Sequence, residues 1–428
     1  MSNKIATYDK IKQGLKKRRR SESRFRSIGI ASISVGLLFI AILFISVTSK
    51  GYNAFTQTMI QIDVFFDPDV LDPNGSNKLE SIARGDYRAV TRRTLSNTFK
   101  DVSSRRDKRQ LYKILSSGAQ FQIRDTALKN LSVIGTTIPV WVTASDDVDM
   151  MIKGVVDRKA RPRVRRLSEK QMSWIRALES QGKVERQFNT TFFFGGDSRE
   201  PELAGIAVAL VGTILSILIC LAFAVPFGVM AAVYLEEFAP KNRWTTLLEI
   251  NINNLAAVPS IVFGLLGLSV LLNVFELPRS SPLVGGMVLA LMTLPTIIIT
   301  GRSALMAVPP SIREAALAIG ASRVQTVFHH VLPLAMPGVL TGTIIGSARA
   351  LGETAPLLMI GMVAFIVDIP NSLTAPATAL PIQVFLWADQ PERAFGERTA
   401  AAILVLLIFT CLMNLAAVFL RRKFETRW

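Results

Sequence analysis

Two charged residues four positions apart, Arg349 and Glu353, stand inside an apolar block that runs from Leu334 to Val367. A charge at the centre of a bilayer costs about 2.5–3.5 kcal/mol on insertion scales, so both side chains are expected to face protein or a cavity rather than lipid. Two readings fit this spacing. On a helix the pair can close an i,i+4 ion pair with a purely structural role. Alternatively the guanidinium, whose planar fork suits a tetrahedral oxyanion, lines a solute pathway with Glu353 beside it. At Arg302, near one end of the block Leu283–Leu305, snorkelling or topology accounts for a cation.

Other chemistries find no footing in the chain. It contains no G-x-x-x-x-G-K-[ST], H-E-x-x-H, C-x-x-C or G-x-S-x-G, so neither an enzyme site of those kinds nor ATP binding by a phosphate loop is expected. His329 and His330 are the only histidines and are adjacent. On a helix they point roughly 100° apart, which disfavours a shared metal, and no cofactor is expected on this chain. Cys220 and Cys411 both fall in apolar blocks, so the hydrophilic part holds itself by packing rather than by disulfides.

The elements that position these residues are membrane spans. Half of the 428 residues are hydrophobic, and they are segregated into long blocks rather than mixed with the charges. Blocks of about 20 apolar residues predict six spans: Ile28–Thr48, Gly205–Val233, Leu255–Val274, Leu283–Leu305, Leu334–Val367, which is long and expected to be broken, and Thr399–Leu420. Pro226, Pro259, Pro295, Pro337 and Pro356 sit within them, as in transporters with interrupted helices. The first block follows Lys16-Lys17-Arg18-Arg19-Arg20 and is read as an uncleaved anchor, since it is longer than a signal core and no A-x-A site follows. Positive charge at 16–20 and at Arg421-Arg422-Lys423 places both termini in the cytoplasm. The net charge of +17 is thereby explained by orientation, and no nucleic-acid partner is expected.

The fold class that results is an all-α polytopic membrane protein with a mixed α/β extracytoplasmic domain between spans one and two. Its parts are a basic cytoplasmic segment (1–27), an anchor (28–48), the extracytoplasmic domain (49–204) and a five-span domain (205–428). Within the extracytoplasmic domain, helical pattern covers Asp107–Ser116 and Ser168–Ser180, and a strand fits Thr137–Thr143. The run Arg158–Arg166 packs six basic residues around Pro162 and is read as a solvated loop, or alternatively as an anion or headgroup site. Asn189-Thr190-Thr191 has the form of a glycosylation acceptor and is discounted, because nothing else points to a eukaryotic secretory protein.

Between spans four and five, residues 308–333 read as a helix-turn-helix on the cytoplasmic face. Pro309-Pro310 suits a helix start, Gly320 a left-handed C-terminus and Ser322 an N-cap. Val324, Val327, Phe328 and Val331 are expected to form one face before Leu332-Pro333 ends the second helix. Small Ala315 and Ala316 permit close approach and Glu314 offers a charge handle. Physics alone leaves two roles open, a knob for a partner's groove and a helix resting on headgroups.

Glu314-Ala315-Ala316, with Gly320 after it and Leu332-Pro333 twelve residues beyond Gly320, resembles the coupling motif of ABC importer permeases, although His330 departs from that family's usual aliphatic residue. Arg349-Ala350-Leu351-Gly352-Glu353-Thr354-Ala355-Pro356-Leu357-Leu358 resembles the R-x-x-G-E-T-A-P-L-L stretch of phosphate importer permeases. The similarity covers residues from about Gly205 onward. Longer relatives carry an extracytoplasmic domain with a run similar to Trp141–Asp149, W-V-T-A-S-D-D-V-D. The resemblance implies a type I ABC importer permease core. It also implies docking of a separate ABC ATPase subunit through Glu314, Ala315, Ala316, Gly320, Leu332 and Pro333, and a pathway that includes Arg302, Arg349, Glu353 and Thr354. The implied partners are a second homologous permease subunit and a periplasmic phosphate-binding protein in a bacterial inner membrane. Sulfate or molybdate is the alternative cargo. A membrane receptor is the alternative class, which the Gly/Pro-broken spans and the lack of a cytoplasmic output domain disfavour.

Overall fold

The computed structural model describes residues 2–73, 75, 78–363 and 365–424. The chain divides into a unit of residues 1–50 and a unit of residues 51–428. The first is one long helix, Ser2–Gly51, whose apolar residues from Ile28 to Ile45 are exposed around its circumference. A helix that is apolar on every side is stable where lipid, rather than water, surrounds it.

The second unit starts with a small sheet among its helices. In β1 (Thr56–Phe65) Ile60, Ile62 and Val64 alternate inward and are fully buried, the two-residue period of a half-buried strand. It pairs antiparallel with β2 (Thr137–Thr143), Ile62 opposite Val140, and with β3 (Val184–Phe188), in the order β2-β1-β3. The helices Tyr87–Thr98, Ala119–Lys129 and Glu169–Ser180 contribute Val90, Ile123 and Ile175 to one core with this sheet. Strand β2 lies where the sequence placed it, and Ser168 caps the last of these helices in a reciprocal box with Gln171. The helix expected over Asp107–Ser116 is Arg105–Tyr112. It stops early because Leu115 bridges to Ala144 and draws the chain to the sheet.

Five of the six basic residues in the run, Arg158, Lys159, Arg161, Arg163 and Arg166, are exposed as a solvated loop requires, and Arg165 is the exception. The Pro162–Arg165 turn buries Arg165, whose guanidinium donates to the carbonyls of Leu167 (2.9 Å) and Arg158 (3.0 Å) and pairs with Glu169. Three acceptors satisfy a cation that would otherwise be costly to bury. Asn189 is also buried; it caps Thr190–Phe194 and donates to the Ala54 carbonyl, so its amide is committed to the fold.

Among the described residues five helices are long and apolar enough to cross a membrane, or six if a bent pair counts as one span. Two expected spans differ in form. Leu255–Val274 is interrupted, with Arg243–Ala256 and Ser260–Leu272 meeting at 105°. Pro259 is the cause, since it lacks an N–H and forces Val258 out of the helical region. The block Leu334–Val367 is helical only to Gly352, and a short helix Ala355–Met359 follows the break at Glu353-Thr354. Glu353 is extended at the break, and Pro356, which has no N–H to donate, stands in the first turn of the new helix where none is needed. Elsewhere Gly342 lets two spans touch, because a Cβ there would lie 1.8 Å from Thr300 Oγ1.

The sheet-bearing region is seated on the last span, Ala394–Phe424. Phe192 meets Trp387 (6.5 Å between ring centroids), which meets Phe395 (6.0 Å). Beside them Lys153 bridges Asp149 (2.5 Å) and Glu397 (3.5 Å), with both lysine and carboxylates buried. The buried Arg398 donates to the Ala54 carbonyl (3.4 Å) and lies over the Phe192 ring (5.6 Å).

Candidate functional site

The helix Pro310–Ala318 begins on proline and ends in a Schellman motif. The Gly320 N–H donates to Leu317 O (3.0 Å) and the Ala321 N–H to Ala316 O (3.1 Å). Gly320 has φ +90°, and a Cβ there would meet nothing within 4 Å, so glycine is required by backbone conformation and not by space. Ser322 then caps the next helix in a box with Gln325. The bend is therefore fixed at both ends by local hydrogen bonds.

Leu332-Pro333 does not end the second helix, contrary to the sequence reading. A π-helical segment, Thr326–Val331, absorbs the missing donor and the ring of Pro333, and the rod Arg323–Gly352 runs on without a stop. This widened turn also divides the expected apolar face. Val327 and Val331 are buried against Ala232, Val233 and Leu305, whereas Val324 and Phe328 are exposed together with Leu317 and Ile319. Glu314 and Ala315 are exposed, Ala316 is buried, Leu332 is half-buried and Pro333 is exposed.

A residue that sequence reasoning passed over holds this element in place. Arg313 forks onto Glu237, with Nη2 at 2.6 Å and Nε at 3.1 Å from Oε1. The same guanidinium donates to the carbonyl of Leu305 in the last turn of the preceding span (2.9 Å) and to that of Val308 just beyond it (2.8 Å). The signal was available, since Arg313 has no acidic residue three or four positions away on its own helix and must find partners elsewhere. Arg302 is engaged nearby, at 2.8 Å from Glu249 and 3.4 Å from Glu236. Arg313 thus ties the Pro310–Ala318 helix to the turn 234–238, and Arg302 ties that same turn and the helix Arg243–Ala256 to the span Pro282–Met306.

Arg349 and Glu353 lie at the far end of the rod, about 25 Å from Leu332 at 1.5 Å per residue. They approach to 3.5 Å (Nε to Oε1), with the arginine side chain 43% exposed and the carboxylate 19%. That is a loose, accessible pair and not a sealed bridge. Glu353 is the C-cap of the span, and Thr354 is half-buried with its carbonyl accepting from Leu358 N–H (3.0 Å). The structure brings Arg349, Glu353 and Thr354 together at a helix break, and does not join Arg302 to them.

Residues 224–428 match the family described as binding-protein-dependent transport system inner membrane component, and residues 12–161 match a domain of unknown function, DUF3333. The phosphate transport system permease protein PstA 1 of Mycobacterium tuberculosis (strain ATCC 25618 / H37Rv) is 31% identical over 248 residues, covering 58% of this chain and 80% of that protein. PstA of Yersinia pestis is 33% identical over 222 residues, covering 51% and 74%. An inward-facing MetNI methionine ABC transporter chain shares 20% identity at a TM-score of 0.40, over 52% of this chain and 95% of that one. Identity above 30% across four-fifths of a relative's own length shows that this chain belongs to the binding-protein-dependent transport system inner membrane components, as a PstA-like ABC permease.

Proposed function

We propose that the chain is the permease subunit of an ATP-driven importer of inorganic phosphate, with hydrolysis performed on a partner chain. The relation to phosphate permeases at 31–33% identity carries the choice of cargo. In this reading the bent pair counts as one of six spans, both termini are cytoplasmic, and residues 49–204 lie outside the cytoplasm. Arg349, in a low-dielectric setting, attracts the oxyanion, and Glu353 holds the guanidinium until substrate displaces it. Thr354 offers a hydroxyl at the break, and Arg302 marks the cytoplasmic end of the pathway.

The partners in this proposal are an ABC ATPase subunit, a second homologous permease and an extracytoplasmic phosphate-binding protein. The exposed apolar residues Leu317, Ile319, Val324 and Phe328 beside Glu314 and Ala315 are the surface offered to the ATPase. ATP-dependent uptake of labelled phosphate by the co-purified complex in proteoliposomes is the test. Block by excess sulfate or molybdate, but not by phosphate, would remove the phosphate assignment and leave the importer standing.

A further inference from the structure

A cleft of about 680 Å³ opens in the sheet-bearing region, far in sequence from the transport motifs. Its size falls in the range of small-molecule sites. Arg88, Arg109 and Lys113 line it from the Tyr87–Thr98 and Arg105–Tyr112 helices and the residue after the latter, and all three are exposed. Ser145, Asp147 and Glu202 line it too, and the Ser145 N–H donates to the Ile114 carbonyl (2.9 Å), next to Lys113. Among the described residues, none of the three cations has a carboxylate within ion-pair distance. Exposed cations and acidic groups therefore share one cavity with no ion pair closed between them.

Glu202 is only 3% exposed, yet it lines the cleft and its Oε2 has no hydrogen-bond partner. The Ser145 hydroxyl, in the same lining, is buried and unpartnered as well. Buried acceptors left open in this way cost free energy unless a donor fills them. A simple anion drawn in by the arginines would meet carboxylates, and a simple cation would have to pass the basic rim. A molecule carrying both charges satisfies both sets of groups.

We propose that this cleft is a binding site for a small zwitterion, its ammonium on Glu202, Asp147 and Ser145 and its phosphate or carboxylate on Arg88, Arg109 and Lys113. The Trp141–Asp149 run gains a role by this assignment. Its Ser145 and Asp147 face the ligand, and two residues on its Asp149 joins the buried bridge through Lys153 to Glu397 of the last span. Occupancy is thus reported to the membrane region through one short helix, Asp146–Ile152.

Burial pushes the Glu202 carboxyl up to about 7, against the lowering effect of Ser116, with Asp146 and Glu200 adding to the rise and Arg398 facing it from the last span. Asp147 is raised to about 6 by burial and by Asp146, opposed by Arg166, Arg393 and Lys113. An ammonium needs the ionised forms, so affinity should weaken as pH falls through this window.

Calorimetry on the detergent-solubilised full chain with its co-purified partners tests the site. The probes are phosphoethanolamine and glycylglycine at millimolar concentration, with ethanolamine and inorganic phosphate as the two half-ligands. At least one zwitterion should bind roughly tenfold more tightly than either half-ligand, the gain from one charge-assisted contact. Glu202→Gln should remove that gain and leave the weak binding of phosphate in place. Arg88→Ala with Arg109→Ala, on the exposed rim where folding is not at risk, should remove it too. Binding of neither zwitterion, equal binding of a half-ligand, or indifference to the rim variant would overturn the assignment.

Discussion

Arg313 spends its fork on Glu237 and the rest of its donors on two carbonyls, so one side chain ties the Pro310–Ala318 helix to the ends of two spans. Breaking such a pair leaves a half-buried carboxylate without its cation. Arg313→Lys keeps the charge but loses the fork and at least one carbonyl contact. It should lower thermal stability by about 1–3 kcal/mol, less than for a fully buried pair, and reduce uptake more than ATPase co-purification. Glu237→Gln should do the same, and the double variant should cost less than the sum of the singles. Gly320 gives a second residue-scale expectation. With open space around its α-carbon, the penalty of a side chain is backbone strain alone, so Gly320→Ala should impair uptake and Gly320→Asn, better suited to positive φ, should impair it less. Equal activities would show that flexibility, not handedness, is what glycine provides. The sequence was informative at Gly320 and Ser322 because caps are local events with fixed spacing. Glu237 and Arg313 are 76 residues apart in the chain, a pairing that no local pattern announces.

At the scale of elements the same contrast holds. Block lengths predicted spans, but where a span breaks or continues depends on how proline's neighbours re-satisfy the backbone. Helices break at Pro259 and before Pro356, whereas they run on through Pro333 and Pro337. The difference at Pro333 is the π segment Thr326–Val331, which places an extra residue in the turn whose carbonyl the ring would strike. Restoring the donor makes that widened turn unnecessary. Pro333→Ala should therefore preserve insertion and stability while uptake falls several-fold, because an α-helical register would rotate Arg323–Gln325 by about 100° relative to the rod. Unchanged uptake would show that the bulge is held by Val327 and Val331 packing instead. Strands show the complementary limit. The alternation of Ile60, Ile62 and Val64 in β1 is a short signal beside longer apolar blocks, whereas β3 exposes most of its side chains and offers no such pattern.

For the whole molecule, the question is whether residues 52–204 form an accessory that can be removed. Loop charges and hydrophobicity alone suggest that the spans from Ala207 onward insert without them. The packing predicts a penalty that insertion rules do not contain. Removing the region strips Phe192 from Trp387 and takes Lys153 from Glu397 and the Ala54 carbonyl from Arg398. Two buried charges at the head of the last span then lack their partners, and an unpaired buried ion is more destabilising than an apolar residue in its place. A chain with residues 52–204 replaced by a flexible linker should therefore insert, melt at lower temperature and transport weakly. The decisive comparison adds Glu397→Gln with Arg398→Leu to both backgrounds. In the full-length chain this double change should destabilise, since it abandons Lys153, Ala54 and the Phe192 ring. In the shortened chain it should stabilise, since it removes charges that have nothing to pair with. A reversal of sign between the two backgrounds would locate the coupling between domain and membrane at this buried cluster. The same sign in both would mean that Glu397 and Arg398 are satisfied from within the membrane region, and that the sheet-bearing domain rests on the last span through its aromatic contacts alone.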